Sequence, residues 1–261
     1  MLLHVLAVGD VCSDVGLDCL HRHLRQVKKL YEIDFTVVNG ENAAGLGLLP
    51  RHADELFDAG ADVITLGNHT WDKRQIADYL DRSPYILRPA NFSPRTPGRG
   101  FGIYEGPRGL RIGVLSLMGR FELNSNLSSP FDMADKVLAG EGKEADVVLV
   151  DFHAEATSEK GAMGWYLDGR VSAVWGTHTH VPTADQQILP KGTGFVTALG
   201  MTGPIHSILG VKPEVSINRF LGGMPMRDEP GPAPGKLNAV RFVIDADTRA
   251  CVETARCDLL D

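Results

Sequence analysis

The sequence predicts an α/β domain built on two sheets, and three observations carry that prediction. Over residues 2–80, apolar β-prone runs alternate with stretches of helical periodicity, the order that yields a mostly parallel sheet with helices outside it. Hairpin patterns interrupt this alternation in the middle of the chain and replace it near the end, which calls for antiparallel strands as well. Five apolar runs end in Gly or Asp and pass at once into polar side chains: Val5–Asp10, Val37–Asn42, Ile64–His69, Val148–His153 and Ala173–His180. Ligand sites in α/β sheets lie beyond the carboxyl ends of strands, so these endings are where chemistry is expected.

Residues 2–9 read as a buried strand and 14–30 as an amphipathic helix. Phe35–Asn39 is a second buried strand. The glycine-rich stretch Gly40–Gly47 leads to Pro50, whose fixed φ and missing N–H suit the first position of a helix ending near Gly60. Asp62–Leu66 is a third strand and Lys73–Leu80 a short helix. Pro89–Gly100, with three prolines and two glycines, reads as irregular loop. Phe101–Glu105 and Arg111–Leu117 flank Gly106-Pro107-Arg108-Gly109 as a hairpin. A helix near Phe131–Gly140, a strand at Asp146–Asp151, a helix around Thr157–Leu167 and a strand at Val171–Trp175 restore the alternation. Gln187–Leu189 and Gly194–Leu199 then flank a Pro-Lys-Gly-Thr turn. A helix covers Pro213–Leu221, and a Pro/Gly-rich loop runs to Gly235. Leu237–Ile244 and Arg249–Ala255 form a final hairpin. No repeat or low-complexity linker divides the 261 residues, so 1–261 is expected to be a single domain.

The 43% hydrophobic share is enough for a substantial core, and a net charge of −7 without any basic cluster argues against general affinity for nucleic acid or an anionic membrane. No apolar run approaches the roughly 18 residues needed to span a bilayer. The segment Met1–Val8 is short, lacks a basic lead and runs straight into Asp10, so it reads as a strand and not a signal peptide. Cys12, Cys19, Cys251 and Cys257 form no CxxC pair, which disfavours a zinc ribbon and suits a reduced, cytoplasmic setting.

The stretch Trp175-Gly176-Thr177-His178-Thr179-His180 sets the pattern for the site. In an extended segment residues i and i+2 point to one side, so both imidazoles are expected to face a common point. Asp10, Glu41, Asn42, Asn68 and His153 add carboxylate, amide and imidazole donors that divalent transition ions accept. Seven ligands are too many for one ion that keeps an open position. They suit two ions about 3.5–4 Å apart sharing a carboxylate, the arrangement used for in-line displacement at phosphorus. Two carboxylates against two dipositive ions leave a positive centre that attracts phosphate despite the acidic chain. A water bridging the ions ionises readily and serves as nucleophile. His69, next to Asn68, is the expected proton donor to the leaving alkoxide, with Asp72 orienting its ring.

Each residue alone has a plainer reading: Asp10 as a helix cap, Asn42 and Asn68 as turn residues, any single His as a hydrogen-bonded structural group. Their joint recurrence at five strand ends favours the metal reading. His4, His21, His23 and His52 carry no such company, and Cys12 reads as a small buried hydrophobe. Gly45-Leu46-Gly47 lacks the Lys-Ser/Thr of a phosphate-binding loop.

Gly9-Asp10, Gly40-Glu41-Asn42, Gly67-Asn68-His69, His153 and Gly176-Thr177-His178-Thr179-His180 resemble the calcineurin-like metallophosphoesterase pattern. The longer runs Asn39–Ala44, Gly67–Asp72, Asp151–Lys160 and Gly200–Pro204 are similar to the bacterial YmdB-type phosphodiesterase branch, over nearly the whole chain. The resemblance implies a four-layer α-β-β-α sandwich of two mixed sheets flanked by helices. It also implies a dinuclear iron or manganese centre, zinc or magnesium being further choices, and hydrolysis of cyclic nucleotides such as 2′,3′-cyclic AMP. Across the matched positions Asp10, Glu41, Asn42 and His180 would hold one ion. Glu41, Asn68, His153 and His178 would hold the other, with Glu41 bridging. Two departures stand out. The usual Asp-x-His of the first motif is Asp10-Val11-Cys12, and the usual bridging Asp is Glu41, followed by Asn42, which is expected to replace the lost histidine.

His206 and Glu155 are candidate substrate contacts, Glu155 and Lys160 being equally readable as capping and solvated charges. The expected partner is a small-molecule phosphodiester or nucleotide, and a homo-oligomer is allowed. Two rival readings make different demands. A dinuclear amidohydrolase would need a barrel of eight βα units, which is not visible. A metal-bound nucleotide or RNA sensor acting through a protein partner would be favoured by nucleotide binding with negligible turnover or by a binding surface away from the ions.

Overall fold

The computed structural model describes residues 1–123 and 126–261. In chain order the elements begin β1 (Leu2–Val8), β2 (Asp10–Val11), α1 (Ser13–Leu30), β3 (Phe35–Asn39), α2 (Pro50–Ala59), β4 (Val63–Thr65), α3 (Ile76–Arg82) and β5 (Ile86–Leu87). The middle holds β6 (Phe101–Glu105), β7 (Arg111–Met118), α4 (Pro130–Ala139), β8 (Val147–His153), α5 (Thr157–Leu167) and β9 (Ala173–Thr177). The remainder is β10 (Gln187–Ile188), β11 (Gly194–Val196), β12 (Met201–Pro204), α6 (Pro213–Phe220), β13 (Gly235–Leu237), β14 (Ala239–Asp245), β15 (Cys251–Arg256) and β16 (Leu259–Leu260).

Two six-stranded sheets run β15-β14-β1-β3-β4-β5 and β10-β11-β9-β8-β7-β6. In the first, β14 and β15 run antiparallel at one edge and the pairings from β1 through β5 are parallel; in the second, the central pairings are parallel and β10 and β6 run antiparallel at the two edges. Side chains alternate between faces of a strand, and the core follows that period. Leu3, Val5 and Ala7 of β1 join a cluster that also holds Val147, Leu149, Ala173 and Trp175 of the other sheet. Leu6 and Val8 instead meet Leu17, Leu20 and Leu24 of α1 and Leu56 of α2. Val148, Val150 and Phe152 of β8 pack with Met163 and Leu167 of α5. Central strands buried on both faces explain why they read as continuous apolar runs.

Local signals account for the helix ends. Leu17, Leu20, Leu24 and Val27 form the buried stripe of α1. Pro50 starts α2, and Gly60 ends it in the left-handed region at φ 120°.

The two-sheet expectation needs correction, because a third sheet, β16-β13-β12-β2, lies beside the others. Its strands are two to four residues long, too short for alternation to show. It pairs Asp10 with Met201 and Val11 with Thr202 in parallel, and so fixes the first site residue. The helix expected at Lys73–Leu80 begins only at Ile76, since residues 69–76 are occupied by turns closing Asp72 N–H onto His69 O and Ile76 N–H onto Lys73 O. No helix among the described residues is long and apolar enough to cross a membrane. All four cysteines are unpaired and buried.

Candidate metal centre

Five strand ends converge. Asp10 opens β2 after Gly9, where a Cβ would lie 1.8 Å from the carbonyl oxygen of Gly200; glycine is needed for that approach. Glu41 and Asn42 follow β3, Asn68 and His69 follow β4, His153 ends β8, and His178 and His180 follow β9.

Contacts join the seven candidate ligands into one cluster. Asp10 accepts hydrogen bonds from the backbone N–H of His178 at 3.2 and 3.3 Å, and its carboxylate lies 4.0 Å from His180 Nε2. Asn42 Nδ2 lies 3.2 Å from His180 Nε2 and 3.1 Å from Glu41 Oε1. His153 Nε2 is 3.1 Å from Glu41 Oε1, 2.8 Å from Asn68 Oδ1 and 3.1 Å from His178 Nδ1. Glu41, His153 and His178 each offer an atom within 4.8 Å of the others.

The two imidazoles of the His-x-His run do not converge by strand alternation as expected. Strand β9 stops at Thr177, and both histidines have left-handed backbones, with φ of 91° at His178 and 61° at His180. Such conformations cost about 1–3 kcal/mol each and persist only where the surroundings enforce them. Here Asp10 holds the His178 N–H, and the Leu209 carbonyl lies 3.0 Å from His180 Nδ1.

The donor chemistry of this cluster suits a divalent cation. Asp10 and Glu41 are fully buried, and among the described residues only histidines pair with them. Buried carboxylates are costly unless paired or bound to metal. Burial alone would push the Glu41 carboxyl up, but His153 beside it holds it at about 2. Burial, then the neighbouring His153, lowers His178 to about 3, so its ring is a neutral donor. The buried Asn42 Oδ1 has no hydrogen-bond partner. Carboxylate, amide oxygen and neutral imidazole together fit divalent transition ions.

A shell of polar groups behind the cluster was missed in the sequence. Thr177 Oγ1 lies 2.9 Å from His153 Nδ1 and donates to buried Asp151 at 2.7 Å. Asn39 Nδ2 donates to the same carboxylate at 3.1 Å. Partners of this kind fix the tautomer and orientation of a ligating histidine. Their only sequence signal is position at the same strand ends. Gly67 is the other missed residue: a Cβ there would come within 2.3 Å of His153 Nε2 and 2.5 Å of Glu41 Oε2. Gly67→Ala should displace one of them, costing roughly 1–3 kcal/mol of stability and weakening divalent-ion binding. Calorimetric titration with Mn²⁺ checks this, and unchanged affinity would show that the crowding is relieved elsewhere.

His69 sits at the rim. Its backbone N–H donates to Glu41 Oε2 at 3.1 Å, and its ring Nδ1 lies 2.9 Å from Asp72 Oδ2. Cys12, at the position of the absent first-motif histidine, is buried with Sγ 3.9 Å from both ring nitrogens of His180. Glu155, about half exposed, places Oε2 3.0 Å from His178 Nε2. A cleft of about 680 Å³ opens over the cluster and is lined by His69, Glu155 and Lys73, and farther out by Arg227 and the ion pair of Arg219 with Asp228. His206 is exposed and is not among the lining residues. The turn after it, with Leu209 at φ 52° and Gly210 at φ 95°, turns Leu209 toward the cleft instead.

Residues 6–257 match the model of the YmdB-like protein family. The chain belongs to that family. A relative from Bacillus subtilis (strain 168), named 2′,3′-cyclic-nucleotide 2′-phosphodiesterase, is 46% identical over 97% of this chain and 96% of its own length. A solved structure of a phosphatase from Mycoplasma pneumoniae superposes with a TM-score of 0.93 at 33% identity, covering 100% of this chain and 94% of that one. A hypothetical protein from Thermus thermophilus gives a TM-score of 0.92 at 41% identity, covering 99% and 100%. This YmdB-like chain is an enzyme of the hydrolase class.

Proposed function

We propose that this YmdB-like protein hydrolyses phosphodiesters, 2′,3′-cyclic nucleotides among them, at two divalent ions. Asp10, Glu41, Asn42 and His180 would hold one ion, and Glu41, Asn68, His153 and His178 the other. The observation that carries this reading is the buried carboxylate pair Asp10 and Glu41, joined through side chains from five strand ends and lacking any Lys or Arg partner among the described residues. The name of the Bacillus subtilis relative supports the substrate class. A cleft of about 680 Å³ falls within the range typical of small-molecule sites.

When bound, the ions supply charge neutralisation for the phosphoryl group and activation of water. The chain's own residues do the rest. Glu155 Oε2 lies 3.0 Å from His178 Nε2 and orients the ring, so that Nδ1, 3.1 Å from His153 Nε2, would be the atom offered to the ion. Asp72 occupies Nδ1 of His69 and so leaves Nε2 as the atom that hands a proton to the leaving oxygen. The α-β-β-α layer order and a single domain over 1–261 are part of the same reading. Both are supported by β1 and β8 each feeding two core clusters. Four unpaired thiols support a cytoplasmic setting.

The test is elemental analysis of freshly purified protein together with turnover of 2′,3′- and 3′,5′-cyclic nucleotides, monoesters and bis-p-nitrophenyl phosphate. The reading requires bound transition metal and metal-dependent diester hydrolysis. Chelator-stripped protein working as fast as metal-loaded protein would sink it.

A further inference from the structure

Lys160 is one of the largest fully buried side chains, at 1% exposure, and among the described residues no carboxylate pairs with it. A buried ammonium with no carboxylate in direct contact is expensive and is uncommon without a task. Its stem crosses the end of β9 at Gly176, where a Cβ would lie 2.9 Å from Lys160 Cδ. Its Nζ donates to Thr179 Oγ1 at 3.0 Å. Thr179 lines the cleft, whereas Lys160 does not.

Thr179 stands between the two left-handed histidines, whose backbones hold their shape only under constraint. Asp10 restrains the segment at the His178 N–H, and Met201 N–H donates to the His180 carbonyl at 3.0 Å. The side chain of the middle residue is tied down by Lys160. We propose that Lys160 is a positioning residue: through Thr179 it clamps the His178-Thr179-His180 turn in the shape that presents both imidazoles to the divalent ions. This rests on the two-ion reading of the site. Lys160 acts behind the turn, on α5, and touches neither substrate nor the reacting atoms.

The clamp predicts a separation between folding and ion binding. Lys160→Met keeps the buried volume and removes the donor; Thr179→Val keeps the shape and removes the acceptor; Thr179→Ser keeps the hydroxyl. Groups that orient a ligating side chain from behind typically matter by 10- to 100-fold in metal affinity. Mn²⁺ titration by calorimetry should show K160M and T179V weakened by about that factor and T179S near wild type. The thermal midpoints of the ion-free proteins should stay within a few degrees of one another. The double variant K160M/T179V should bind no more weakly than either single one, because both remove the same bond. Wild-type affinity in K160M and T179V alike, or a lowered midpoint with unchanged affinity, would overturn the clamp and leave the metal site standing. Wild-type protein that takes up no divalent ion would overturn both.

Discussion

Glu41→Gln should lower phosphodiesterase turnover by about a thousandfold or more and strip the protein of part of its bound metal. Glu41 is the most connected acid of the site. One oxygen faces His153 Nε2 and Asn42 Nδ2, each at 3.1 Å, and the other accepts the His69 N–H. Its charge is held by His153 down to a carboxyl of about 2, so at neutral pH it is anionic. Glutamine keeps the volume and one acceptor but halves the negative charge of the cluster. Loss of metal-borne stabilisation is worth several kcal/mol, and about 1.4 kcal/mol corresponds to each tenfold in rate. Elemental analysis should find fewer than two ions per chain, and kcat/KM for a 2′,3′-cyclic nucleotide should fall accordingly. A full ion complement with activity within tenfold of wild type would remove Glu41 from its central place.

His69→Ala should behave differently: a drop of about 10²- to 10⁴-fold in turnover with metal content unchanged. The reason lies in what the residue touches. Its contact with the cluster runs through the backbone N–H to Glu41, which alanine retains, while the ring is bonded to Asp72 at the rim. Deleting the ring therefore removes a proton donor without removing a ligand. The leaving group discriminates further. A p-nitrophenolate departs with little need of a proton, whereas a ribose alkoxide requires one, so the penalty should be much larger for the cyclic nucleotide than for bis-p-nitrophenyl phosphate. Asp72→Asn should reproduce the same preference in weaker form. Equal losses on both substrates, or loss of metal in the alanine variant, would take the proton-donor role away from His69.

Much of this was legible before any fold was known, and the reason is physical. Apolar runs such as Val5–Val8 and Val147–Val150 are long enough for strand character to dominate, and five of them end in polar donors that have little other reason to recur there. Helix α2 announced itself by Pro50 and Gly60, residues whose backbone preferences act locally. Where the signal was short or nonlocal it failed. The third sheet has strands of two to four residues, and its pairing of Asp10 with Met201 depends on the approach of Gly9 to Gly200. His206 was placed at the cleft by its nearness to the Met201–Pro204 run, but a tight turn carries Leu209 there instead.

By itself the sequence determined which side chains could bind metal and which strands would carry them, since hydrophobic period and donor chemistry are written residue by residue. Only the tertiary structure decided how those donors meet. Asp10 reaches the backbone of a histidine 168 positions away, and two histidines turn inward through left-handed backbones that no local preference favours. A lysine buried in the core donates to one hydroxyl across a strand end. Such contacts arise from sheet order and close packing between distant segments, and neither leaves a period in the chain for a reader to find.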